Sequence, residues 1–145
     1  MTIMLGTDNL KILLDSDGII SQIKTEDSNY FLAQKISTKI KDDSALVYIA
    51  ATTWAEVVTT LQRKYNNRKL AEGLNDWLKM SEVEVIPVDG ELIALAFKVF
   101  LSSQSKQNTF FDAINIAVVK KYNFDAIFSF DSWYKKQGIK LAQDL

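Results

Sequence analysis

Four carboxylates stand where apolar runs of this chain give way to other sequence. Asp15 closes ILLD, Glu56 lies in AATTWAEVV, Asp112 in NTFFDAINIA, and Asp131 follows IFSF. Carboxylates can move protons or bind hard cations, and beside them mainly hydroxyls and lysines remain for chemistry in this chain. Its 145 residues include no Cys and no His. That excludes disulfide frameworks, thiol catalysis, cysteine-type zinc, a Ser-His-Asp triad and a histidine base. Taken singly, each acid has a structural explanation. Thr53-x-x-Glu56 and Thr109-x-x-Asp112 match the capping box, Asp131 suits a helix N-cap, and Asp15 can end a strand in a turn.

The elements that must position these acids alternate along the chain. Short apolar runs read as strands at Lys11–Asp15, Leu46–Ala50, Val83–Val88, Ala126–Phe130 and Ile139–Ala142. The second and fourth are almost continuously apolar, as in strands buried on both faces of a parallel sheet. Helical spacing fills Tyr30–Ile40, Trp54–Lys64, Leu70–Met80, Glu91–Leu101 and Phe110–Lys121, and a short helix follows Asp131. Glu91–Leu101 is apolar except at Glu91 and Lys98, so it is expected to be buried on more than one side. It reads either as a deep core helix or as one that also forms a homodimer face. The alternation predicts an α/β fold with a mostly parallel, helix-covered sheet.

In such a sheet every strand ends at one edge, and helices leaving strands or returning to them start there. All four acids are then expected at the carboxyl edge, where open α/β folds bind ligands. Like charges that close repel and raise one another's pKa. The usual remedy is a hard divalent cation, Mg²⁺ or Mn²⁺, which supports in-line phosphodiester displacement and needs neither His nor Cys.

At these residues the chain resembles a PIN domain, the nuclease fold of VapC-type toxins in bacterial and archaeal toxin–antitoxin pairs. The likeness runs from about Lys11 to Ala142, through ILLDSDGII, TTWAEVV, FFDAINIAVV and AIFSFDSWYKKQGI. It implies a three-layer α/β/α fold with a five-stranded sheet in the order 3-2-1-4-5. It also implies Mg²⁺- or Mn²⁺-dependent cleavage of single-stranded RNA, often by a dimer, and an antitoxin that inhibits the site. Asp15, Glu56, Asp112 and Asp131 correspond to the family's acidic quartet as catalytic and metal-binding residues, and Ser129 to a supporting polar group. The family's first motif is commonly Asp-Thr/Ser-Asn, whereas this chain has Asp15-Ser16-Asp17. Asp17 either adds a fifth negative charge or faces solvent in the turn. Asp15-x-Asp17-Gly18 also resembles the first motif of haloacid-dehalogenase-type phosphatases, but the later acidic pair of that family is missing. A catalytically silent PIN-like binding module is the remaining alternative; the presence of all four acids speaks against it.

The rest of the chain is bland. Hydrophobic residues make up 48% and the net charge is −1, so no global positive field draws it to nucleic acid. Arg63, Lys64, Arg68 and Lys69, around Tyr65, are the densest basic group and the weak candidates for substrate contact. No apolar run approaches the roughly 18 to 20 residues that span a bilayer. Residues 1–10 read as a loose leader, not a signal peptide, ahead of a single domain over 11–145. The expected setting is the cytoplasm, without a membrane partner.

Overall fold

The computed structural model describes residues 9–145; most of the expected leader, up to residue 8, lies outside them. Strands β1 (Lys11–Leu14), β2 (Leu46–Ala50), β3 (Glu84–Ile86) and β4 (Ala126–Phe128) form one sheet in the order β3-β2-β1-β4. All three pairings are parallel, with Leu13 opposite both Tyr48 and Ile127. The expected fifth strand at Ile139–Ala142 is reduced to a single parallel bridge between Ile127 and Leu141, leading into a 3₁₀ turn at Ala142–Asp144. The four-stranded order is thus the expected one with its last position frayed.

Among the described residues seven helices cover the sheet: α1 (Ser16–Ile23), α2 (Tyr30–Asp42), α3 (Ala51–Arg63), α4 (Arg68–Met80), α5 (Gly90–Ser102), α6 (Phe110–Tyr122) and α7 (Trp133–Lys136). Alternating strand residues serve two cores. Leu13 and Ile127 pack with α5, α6 and Tyr134, while Ile12, Leu14 and Phe128 pack with the helices α1 to α4. The architecture is therefore α/β with helices on both faces of a parallel sheet. Among the described residues no helix is long and apolar enough to cross a membrane.

Two further elements depart from the sequence reading. Helix α1 occupies a stretch that reads as a turn, because Asp17-Gly18 is ordinarily turn chemistry. Gly18 is there for a close approach: a Cβ would stand 2.1 Å from the Phe128 carbonyl oxygen. Helix α5 is not buried on several sides. Only Leu92 and Ala96 are buried, along the stripe facing α6, while Phe97, Phe100 and Leu101 are exposed, Leu101 to 79%.

Candidate active site

Each acid is placed by the start of a helix or the end of a strand. Asp15 follows β1 and is the N-cap of α1; its Oδ1 accepts the Ser16 N–H at 2.8 Å. Asp112 sits in the first turn of α6, where its Oδ2 accepts the Thr109 N–H at 3.0 Å, so the capping expectation holds there. It fails for Glu56. Helix α3 starts at Ala51 with Ala50 as N-cap, which puts Glu56 in the second turn, beyond reach of any free helix-start N–H. Thr53, its supposed partner, is fully buried and donates to Asn115 Oδ1 at 3.1 Å instead. Asp131 accepts the Trp133 N–H at 2.9 Å and so shapes the start of α7.

Neutral donors join three of the four acids, Asp15, Asp112 and Asp131, and none of these bonds reaches Glu56. Tyr134 Oη lies 3.0 Å from Asp15 Oδ2 and 3.2 Å from Asp112 Oδ1. Asn108 Nδ2 donates to Asp112 Oδ2 at 3.2 Å and to Asp131 Oδ2 at 2.8 Å. Asn115 Nδ2 donates to Asp15 Oδ1 at 3.0 Å. Asp17 does not simply face solvent: its Oδ2 accepts the Phe130 N–H at 2.8 Å and ties α1 to the segment after β4. Ser129 is buried, and its Oγ accepts the Asp131 N–H at 3.1 Å. None of the four ion pairs among the described residues involves any of these five acids.

Negative charge therefore accumulates without an internal counter-charge. Burial, then Asp17 and Asp112, push the Asp15 carboxyl well above its ordinary value. Burial likewise raises Asp17, and it raises Glu56, with Asp112 and Asp17 adding to the effect on Glu56. Tyr134 has one hydroxyl proton and two carboxylate neighbours. A proton retained on Asp15 resolves that arithmetic, and a cation between the acids would resolve it equally well. Burial and the adjacent acids also move the Tyr134 phenol far upward, so it stays a donor.

Two oxygens of the cluster, Asp17 Oδ1 and Glu56 Oε1, are buried with no hydrogen-bond partner. Such orphans are rare in native proteins unless a water or ion completes them. The donors are all oxygens, which suits a hard divalent cation rather than zinc or copper. Among the described residues no group of three or more acids stands placed to hold a metal ion. Mg²⁺ does not require one, since it takes one or two carboxylates and keeps several waters.

The sequence matches the PIN domain family over residues 12–139, a span that contains every acid just described. The chain belongs to the PIN-domain family. Solved structures agree on the fold. VapC20 of Mycobacterium tuberculosis, a Sarcin-Ricin loop cleaving toxin, superposes with a TM-score of 0.77 at 18% identity, covering 88% of this chain and 95% of that one. A toxin–antitoxin complex from Klebsiella pneumoniae gives 0.54 at 14% identity, covering 83% and 87%. No curated relative matches the sequence.

Three polar neighbours of the acids escaped the sequence reading: Asn108, Asn115 and Tyr134. Asn115 carried a signal, being the one polar residue between Ala113 and Val119 in a stretch that is buried throughout. A buried amide needs partners, and three residues past Asp112 on a helix it shares that acid's face. The basic group at Arg63, Lys64, Arg68 and Lys69 has no described contact with the acids. Lys64 lies 5.4 Å from the Tyr65 ring centroid, with Lys24 at 4.3 Å, and Arg68 pairs with Glu72.

Proposed function

We propose that this chain is a Mg²⁺- or Mn²⁺-dependent endoribonuclease that hydrolyses phosphodiester bonds of single-stranded RNA, as the toxin of a toxin–antitoxin pair. The observation that carries the reading is the linkage of Asp15, Asp112 and Asp131 through Tyr134 and Asn108, with Glu56 near enough to feel Asp112 and no ion pair to any of them among the described residues. Membership of the PIN-domain family and the fold shared with VapC20 support it. The orphaned Glu56 and Asp17 oxygens support a bound cation.

In this reading Asp15, Glu56, Asp112 and Asp131 are the catalytic and metal-holding residues, with Asp17 as a fifth acid beside them. When bound, the cation supplies Lewis-acid stabilisation of the phosphoryl oxygens and a water of lowered pKa. The protein's part is to fix the acids. Tyr134 and Asn115 hold Asp15, and the Thr109 N–H and Asn108 hold Asp112. Ser129 supports the backbone of Asp131. Arg63, Lys64, Arg68 and Lys69 are assigned to the phosphate backbone of the substrate outside the site. The exposed Phe97, Phe100 and Leu101 face of α5 is assigned to a homodimer contact. The setting is the cytoplasm, and an antitoxin is the inhibitory partner.

The test is cleavage of labelled single-stranded RNA, with single-stranded DNA of matching sequence as the control. Cleavage is expected with Mg²⁺ or Mn²⁺, none in EDTA, and none for Asp112→Asn. Undiminished cleavage in EDTA refutes the mechanism, and a stable phospho-aspartate at Asp15 would replace it with a phosphatase. Growth arrest on expression, relieved by a small protein encoded next to this gene, tests the toxin assignment.

A further inference from the structure

Counting acceptor sites shows where spare binding capacity lies. An ionised carboxylate offers about four lone-pair directions, two on each oxygen. Asp15 Oδ1 is filled by the Ser16 N–H and Asn115 Nδ2, and Asp112 Oδ2 by the Thr109 N–H and Asn108 Nδ2. Each acid keeps its free direction on its other oxygen, Asp15 Oδ2 and Asp112 Oδ1. Those are the two oxygens that touch the Tyr134 hydroxyl. They are therefore within two hydrogen-bond lengths of one another.

The orientation of Asn115 is fixed in turn. Its Nδ2 faces a carboxylate oxygen, which accepts, and its Oδ1 faces the Thr53 hydroxyl, which donates at 3.1 Å. A flipped amide would set Oδ1 against Asp15. Nδ2 also reaches Tyr134 Oη at 3.4 Å, so the amide steers the phenol proton toward the acids. Thr53, Asn115 and Tyr134 are all buried, and they come from α3, α6 and α7.

We propose that Tyr134, together with Asn115 oriented by Thr53, is a positioning device that presets the Asp15 Oδ2–Asp112 Oδ1 pair for a divalent cation. The inference rests on the nuclease reading above. Without the phenol, two like charges have nothing between them and spread, so a cation must recover that distance on binding. Loss of a residue that orients metal ligands typically costs about 10- to 100-fold in metal affinity or activity.

The experiment is Mn²⁺ binding to the full chain, followed by the electron paramagnetic resonance signal of free Mn²⁺, beside RNA cleavage as a function of Mn²⁺. Tyr134→Phe keeps the buried ring and is expected to bind Mn²⁺ roughly 10-fold or more weakly, with the half-activating concentration rising in step. Thr53→Val is expected to weaken binding in the same direction, and Thr53→Ser to restore it. A purely structural hydroxyl would lower the melting temperature in EDTA and leave Mn²⁺ affinity at the parent value. Parent affinity in both Tyr134→Phe and Thr53→Val overturns the inference. If Tyr134→Phe does not fold, the Thr53→Val and Thr53→Ser pair decides alone. A parent chain that binds no Mn²⁺ and cleaves nothing overturns the nuclease reading, and this inference falls with it.

Discussion

Gly18→Ala adds one carbon at a point beside the site where there is no room for it. Gly18 lies in the first turn of α1, where that helix meets the end of β4. A Cβ there would sit 2.1 Å from the Phe128 carbonyl oxygen and 2.8 Å from its Cδ1. The contact with oxygen falls about 1 Å short of the van der Waals limit, and the atom it meets is backbone. The same carbonyl accepts the Asp15 N–H at 3.1 Å, so α1 cannot retreat without straining that bond. Overpacking costs about 1–3 kcal/mol and a weakened hydrogen bond about 1 more. Alanine's helix propensity returns somewhat under 1 kcal/mol. The net loss is about 1–3 kcal/mol, or roughly 3–10 °C in melting temperature for a chain of this size. The retreat also carries Asp15 and Asp17 away from Asp112 and Asp131. A 1 Å misplacement of reacting groups costs on the order of 10²-fold in rate. Thermal unfolding in EDTA and metal-dependent cleavage measure the two effects. Gly73→Ala is the control: nothing stands within 4 Å of its Cβ, and a small rise in melting temperature is expected. A Gly18→Ala chain that melts at or above the parent temperature refutes the argument.

Glu56→Gln leaves the start of α3 intact, because Ala50 is the N-cap, and removes one charge from the cluster. Cleavage is expected to fall by about 10²-fold, with stability in EDTA unchanged or higher and a smaller gain on adding Mg²⁺; parent activity with an unchanged Mg²⁺ response would discard its role. For pH, the folded pKa of Asp15 lies above its ordinary 3.8, so the folded state holds the extra proton. That contribution is complete below the usual carboxylate range and is lost as pH rises through the raised value. In EDTA the melting temperature of Asp15→Asn is therefore expected to gain on the parent as pH rises toward neutrality, and a constant difference would contradict it. Light scattering at micromolar concentration should report about twice 16.4 kDa, and Leu101→Glu should halve it, whereas a monomeric parent would leave the α5 face without a second copy.

The sheet was legible because parallel strands tend to be unbroken apolar runs, and LVYIA and AIF supply them, although only AIF and the last two residues of LVYIA are fully buried. Helix α1 was not, since Asp17-Gly18 serves equally well in a turn, and only the proximity of Phe128 explains the glycine. Helix α5 misled in the opposite sense. Apolar composition all round gives the amount of greasy surface but not the number of neighbours, and α5 packs chiefly against α6. The segment Ile139–Ala142 has the pattern of an edge strand. Pairing on one side only, it keeps just the bridge from Leu141 to Ile127.

The site divides along a chemical line. Asp15, Asp112 and Asp131 were legible as candidates because charge at element boundaries is visible in sequence, and because a chain without His or Cys leaves mainly carboxylates, hydroxyls and lysines for chemistry. What holds those acids is neutral. Thr53, Asn108, Asn115 and Tyr134 are ordinary residue types whose roles depend on which oxygen faces which proton. Thr53 shows the difference most plainly: three residues before Glu56, it has the spacing of a capping box, and only the helix start at Ala51 reveals that it serves Asn115 instead. The same threonine hydroxyl, counted as a cap, would stabilise a helix end. Turned inward, it sets the direction of one amide, and through that amide the free lone pair of the most buried acid in the site.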